Sequence, residues 1–183
     1  MRTSHRAIIS AAGGLLLTAG TVGAANANIV KGLLGGPPPP KAASDQRPST
    51  PPPPDGGSGH RIVYSNSGQR VWLVNDNNTV SRSYAVSGKQ GVPAPGNYSV
   101  FSKSRVSRSA SGNLKLEYMV RFAQGESLAI GFHAIPTKPN GSTIQSEEEL
   151  GQYRSAGCVR QRRSDAAALW DHAHMGTRVT VLG

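Results

Sequence analysis

Residues 114–134 read LKLEYMVRFAQGESLAIGFHA. Leu114, Leu116, Tyr118, Val120 and Phe122 alternate with Lys115, Glu117, Met119 and Arg121. This period of two sends successive side chains to opposite faces of a strand, so one apolar face is expected to be buried. Leu128, Ile130 and Phe132 repeat the pattern after the turn residues Gln124, Gly125 and Glu126. The two segments are therefore expected to form a hairpin. Shorter strands are expected at residues 62–64, 69–74, 80–86, 98–102 and 177–182, with turn-forming stretches at 75–78, 87–91 and 93–96 between them. Two short helices interrupt the pattern. Ser146-Glu147-Glu148-Glu149 is a capping-box sequence, and Ser164-Asp165 opens a second helix through Ala166, Leu169, Trp170 and Ala173, closed by Gly176. The fold class is mainly β, with two short helices as inserts, preceded by a disordered N-terminal tail.

That tail differs in composition from the rest. Arg2 and Arg6 precede an uncharged run from Ala7 to Ala25, which closes on the small residues Ala25-Asn26-Ala27. This is the pattern of a secretory signal at residues 1–27, and it is thin in large apolar side chains for an uncleaved anchor. The chain is thus expected to be exported, to the cell wall or its periplasmic equivalent or the extracellular space, with membrane contact only transiently through this segment. Residues 28–59 carry two PPPP runs, at 37–40 and 51–54, and end in Asp55-Gly56-Gly57-Ser58-Gly59. They read as an extended tether with a flexible joint, leaving residues 60–183 as the folded domain.

The chain carries 20 Lys plus Arg against 10 Asp plus Glu, a net charge of +10, so it is suited to an anionic partner. Export and the scarcity of aromatics for base stacking argue against nucleic acid. An acidic wall polymer fits both.

Cys158 is the only cysteine. It is an inert packed thiol, an intermolecular crosslink or a working nucleophile. The small residues Ser155, Ala156 and Gly157 precede it, and Arg154, Arg160, Arg162 and Arg163 crowd around it. One guanidinium about 6 Å from a thiolate contributes roughly 0.7 kcal/mol in bulk water and about 3 kcal/mol at an effective dielectric of 20. That is about half to two pKa units, which would bring the thiol toward neutrality. A nucleophilic thiol needs a proton acceptor. His5 lies in the signal segment, His60 at the linker edge, and His172 and His174 near a helix end where an imidazolium suits the dipole. A zinc site is not expected, because the His-Ala-His spacing lacks further ligands. His133, at the end of the second hairpin strand, is the candidate base.

These residues resemble the YkuD-type L,D-transpeptidase catalytic domain. The resemblance lies in Gly131-Phe132-His133-Ala134-Ile135-Pro136, Ser155-x-Gly157-Cys158-Val159-Arg160, Asp165-Ala166 and Gly176-Thr177-x-Val179-x-Val181-Leu182. Residues 69–74 and Pro93-Ala94-Pro95-Gly96-Asn97-Tyr98 support it, and it covers roughly residues 61–183. Two departures stand out. The family usually has His directly before Gly-Cys where this chain has Ala156, and the gap from His133 to Cys158 is longer than the family norm because of residues 137–153. That segment is expected to act as a lid or a substrate-selecting wall.

The resemblance implies a β-sandwich or mixed-sheet fold and a peptidoglycan enzyme with no metal or organic cofactor. Its donor would be a tetrapeptide stem ending in D-Ala, linked through the L-centre of a diamino acid. Cys158 would be the nucleophile and His133 the general base, oriented by a backbone carbonyl near Ala134. The N–H groups of Gly157 and Cys158 would be oxyanion donors, and Ser155 would hold the loop. Arg160 would clamp a stem carboxylate or brace the turn, with bracing favoured. Aminolysis of the thioester gives a 3→3 crosslink; hydrolysis would make the enzyme an L,D-carboxypeptidase. Carbapenem β-lactams are the expected inhibitors. The alternative class is a non-catalytic peptidoglycan-binding or anchoring module, for which Ala156 would mark a decayed site.

Overall fold

The computed structural model describes residues 51–183. The expected signal segment and most of the tether lie outside the described residues. Nine strands and one α-helix follow: β1 Arg61–Ser65, β2 Arg70–Val74, β3 Val80–Ala85, β4 Gly96–Ser99, β5 Ser102–Arg108, β6 Lys115–Gln124, β7 Ala129–Ala134, β8 Val159–Gln161, α1 Arg163–His172 and β9 Arg178–Leu182. One sheet has the order β3-β2-β1-β9-β4 and the other β5-β6-β7-β8. Both are mixed: β1 runs parallel to β9 and β7 parallel to β8, while the remaining neighbours are antiparallel.

The apolar faces of both sheets meet in one core. Ile62, Tyr64, Val71 and Val179 come from the first sheet, Val120, Phe122, Ile130 and Phe132 from the second, and Leu169 from α1. Phe122 and Phe132 stack at 4.5 Å between ring centroids, and Tyr64 meets Phe132 edge-on at 6.1 Å. Each such buried side chain stabilises the fold by roughly 1.5–3 kcal/mol relative to exposure. Helix α1 is anchored to the first sheet by Arg82, whose Nη1 donates to the buried Asp165 carboxylate at 3.0 Å.

The β6–β7 hairpin forms as the alternation requires, yet the faces of β6 are not those of a strict period of two. Tyr118 adopts a left-handed φ of 56°, and the pairing with β7 shifts register between Arg121 and Ala123. These irregularities change the phase. Leu116 ends on the same side as Met119 and Arg121, lining a cavity, while Val120 and Phe122 enter the core. Tyr118 is half-buried against Trp170.

Other elements depart from expectation for identifiable reasons. Strand β5, SKSRVSR, has almost no apolar side chains, because it is the sheet edge and pairs only with β6. The three-residue β8 is too short to show a period. The helix expected from the Ser146–Glu149 capping box is a single 3-10 turn, Glu147–Glu149. Its box bond is present, Ser146 N–H donating to the Glu149 carboxylate at 3.0 Å. Three adjacent carboxylates with no apolar residue at helical spacing give that turn no face to bury, and Gly151 at φ 98° turns the chain away. The expected flexible joint is pinned. Pro54–Gly56 forms a 3-10 turn with Gly56 buried, and Arg61 donates to the carbonyls of Gly56 at 2.7 Å and Gly59 at 2.6 Å.

Candidate active site

Because β7 sends Ile130 and Phe132 into the core, it turns Ala129, Gly131 and His133 to the opposite face. Strand β8 joins it in parallel, with Phe132 opposite Val159 and His133 opposite Arg160. Continued upstream, the same register brings Cys158 alongside Gly131. On its other side β7 lies close against β6 because residue 131 has no Cβ: one added at this position would meet the Val120 carbonyl oxygen at 2.6 Å and Met119 Sδ at 2.8 Å. Cys158, His133, Arg160, Arg121, Ser155 and Gly157 all line a single cavity of about 500 Å³, with Leu116, Met119 and Ile144 as apolar wall.

The thiol is half-buried, its Sγ 3.9 Å from the carbonyl oxygen of Ala129. Burial pushes its pKa up. A backbone hydrogen bond from Gly131 and the charges of Arg121 and Arg160 pull it down without cancelling that rise. The sequence expectation of an arginine-lowered thiol is therefore corrected. Three of the four neighbouring arginines are spent on carboxylates: Arg154 on Glu149 at 2.8 Å, Arg162 on Glu147 at 3.3 Å and Arg163 on Glu117 at 2.7 Å. Arg121, distant in sequence, supplies charge in their place.

His133 is 3% exposed. Its Nδ1 lies 2.6 Å from the carbonyl oxygen of Ala134. A carbonyl only accepts, so Nδ1 carries the proton and Nε2 is left with its lone pair. Desolvation lowers the imidazole pKa to about 4, with the Ala134 bond opposing and the charges of Arg160 and Arg121 assisting. The resting pair is a neutral thiol and a neutral imidazole.

Ser155 shapes the turn before the thiol: the Gly157 N–H donates to Ser155 Oγ at 3.0 Å. That hydrogen bond engages the Gly157 N–H within the loop itself. A Cβ on Gly157 would meet nothing within 4 Å, so the residue borders open cavity.

Arg160 is half-buried and braced. Its Nη1 donates to Gln145 Oε1 at 3.1 Å, and Gln145 Nε2 donates to Ser87 Oγ at 2.8 Å. Ser87 and Arg160 also exchange backbone hydrogen bonds, each 2.9 Å, which ties the chain two residues beyond β3 to β8. The extra segment 137–153 is thereby fastened to the body. Gln145 is 4% exposed, and Gly151 N–H donates to the Val86 carbonyl at 2.9 Å. The segment is a wall, with Ile144 facing the cavity. Gln145 gave no sign in the sequence, since a buried amide in a polar loop looks like any other loop residue. Arg121 was visible only as a charge on β6.

The other described histidines lie elsewhere. His60 stacks on His172 at 4.1 Å and approaches His174 at 5.9 Å, and none of the three lines the cavity. Among the described residues no group of His, Cys, Asp and Glu is placed to hold a metal ion. A second cavity of about 490 Å³, bordered by Lys89, Tyr98 and Glu126, adjoins the first across Leu128 and Ala156, which line both.

No curated protein matches the chain. Solved structures do. The LD transpeptidase LdtMt1 in complex with imipenem aligns at 22% identity and a TM-score of 0.54, over 69% of this chain and 60% of its own. An L,D-transpeptidase from Stackebrandtia nassauensis aligns at 20% identity and 0.51, over 79% and 62% respectively. L,D-transpeptidase 3 from Mycobacterium tuberculosis, in complex with a faropenem-derived adduct, aligns at 22% and 0.53, over 69% and 61%. The chain thus spans about three fifths of the length of these proteins, and it shares their fold. The family model of the YkuD L,D-transpeptidase catalytic domain matches residues 59–181, well over half of the chain, and the chain belongs to that family.

Proposed function

We propose that this protein is an exported peptidoglycan L,D-transpeptidase in which Cys158 is the nucleophile and His133 the general base. The observation that carries this reading is the shared cavity: an accessible sulfur and a buried imidazole with a free Nε2 lone pair border one space. A tetrapeptide stem binds with the carbonyl of its diamino acid L-centre against Cys158. The thiol proton passes to His133 Nε2 as sulfur attacks, which suits a neutral pair poised for transfer on binding. The Cys158 N–H donates to the oxyanion. The tetrahedral intermediate collapses by breaking the C–N bond, and His133 returns its proton to the departing D-Ala amine. The side-chain amine of a second stem attacks the thioester, gives its proton to His133, and expels the thiolate to form a 3→3 crosslink. The adjoining cavity, which shares Leu128 and Ala156 with the first, offers room for that second stem. No step draws on a metal or organic cofactor.

Incubation of the protein with a defined tetrapeptide muropeptide tests this. D-Ala release and a crosslinked dimer are expected from wild type and neither from Cys158→Ala. Monomeric tripeptide without dimer would make the protein an L,D-carboxypeptidase, and D-Ala release that survives Cys158→Ala would sink the nucleophile assignment. A carbapenem is expected to add one drug mass at Cys158, in keeping with the imipenem complex of LdtMt1. A non-catalytic wall-binding module would sediment with peptidoglycan and form no such adduct.

A further inference from the structure

Arg121 stands in β6 between the core residues Val120 and Phe122 and faces the Cys158 cavity. Its head group is cradled by hydroxyls of the edge strand β5. Nη1 donates to Ser102 Oγ at 3.3 Å and Ser104 Oγ at 3.0 Å, and Nη2 donates to Ser107 Oγ at 3.0 Å. A guanidinium has five N–H donors, so these three bonds leave two, one on Nε and one on Nη2. Those two belong to adjacent nitrogens, the fork that matches both oxygens of a carboxylate. Among the described residues no carboxylate pairs with Arg121; the ion pairs go to Arg82, Lys115, Arg154, Arg162 and Arg163. Hydroxyls orient the head group without neutralising it. Its charge is felt at both Cys158 and His133. Arg160, for which the sequence favoured bracing the turn over clamping a carboxylate, donates from Nη1 to Gln145.

We propose that Arg121 is the specificity residue that anchors the C-terminal carboxylate of the donor stem, seating the preceding carbonyl against Cys158. This rests on the transpeptidase reading for its ligand, but the anion site itself is a property of the cavity. The leaving D-Ala places its carboxylate a single residue, roughly 3.5 Å of chain, beyond the scissile bond. A cation in the same cavity as the nucleophile is where such a group is needed. The serine cradle fixes the fork before substrate arrives, which reduces the entropy lost on binding.

The full chain is alkylated with iodoacetate and with iodoacetamide. Both lose iodide to the cysteine sulfur and form a thioether, but only the first carries a carboxylate. Cys158 is the sole cysteine, so mass gain reports that site alone. Relative to glutathione under the same conditions, wild type is expected to favour iodoacetate by about tenfold, Arg121→Gln to fall to the glutathione ratio, and Arg121→Lys to keep most of the preference. With stems, Arg121→Gln is expected to lower kcat/KM for the free acid about tenfold relative to the C-terminal amide, the effect of the lost charge on the thiol being common to both substrates. A wild-type ratio equal to that of glutathione overturns the proposal, even if the glutamine variant does not fold. So does an unchanged ratio in a folded Arg121→Gln. If alkylation shows the preference and no stem is turned over, the anion site stands and the transpeptidase reading fails.

Discussion

The Nδ1 of His133 lies 2.6 Å from the carbonyl oxygen of Ala134, its own neighbour in the chain. One local bond thus sets the tautomer with no carboxylate partner, so the ring stays neutral unless the medium is acid. The folded pKa, about 4, lies below the ordinary value of 6.5. Between those values the unfolded chain binds the extra proton. Stability is therefore full above pH 6.5 and is lost as pH falls toward 4, by about 3 kcal/mol in total. His172, also held low by burial, acts in the same direction. The expected outcome is a denaturation midpoint that drops across this window, with a smaller drop in His133→Gln; equal slopes in the two proteins would contradict the burial argument.

The thiol is expected to titrate above the ordinary cysteine range, since burial outweighs the two arginines. Iodoacetamide labelling of the resting protein should keep accelerating with pH beyond the point where glutathione levels off. A plateau near neutrality would instead indicate a preformed thiolate–imidazolium pair.

Gly157→Ala should leave the melting temperature almost unchanged, because its φ is not left-handed and a Cβ there meets nothing within 4 Å. Turnover should fall at least about tenfold, since the methyl projects into space the bound stem needs. Loss of stability with retained turnover would reverse that assignment.

At Gly131 the opposite is expected. A Cβ there collides with the Val120 carbonyl, Met119 and the Arg121 backbone, forcing β7 from β6 beside the thiol. Gly131→Ala should cost about 1–3 kcal/mol in chemical denaturation, as overpacking does, and lower Cys158 acylation by a carbapenem.

Gln145→Leu removes the partner of Arg160 and of Ser87 together. A buried polar group left unpaired costs about 1–3 kcal/mol, so lowered stability and increased proteolysis within residues 137–153 are expected. Unaltered protease resistance would mean that the segment is held by its other bonds alone.

Sequence by itself determined the elements that repeat. The alternation in residues 114–132 required a hairpin, the Ser-x-Gly-Cys-x-Arg block marked the thiol, and elimination among five histidines left His133. What it could not determine was set by contacts between residues far apart in the chain. A left-handed Tyr118 and a register shift after Arg121 decide which side chains of β6 meet the core and which meet the cavity. Pairing of β7 with β8 decides that Cys158 lies beside Gly131. The competing carboxylates Glu117, Glu147 and Glu149 decide which arginines remain for the thiol. Periodicity and motif are local properties of a chain. Burial and charge at a site are sums over everything packed around it, and only the folded molecule performs that sum.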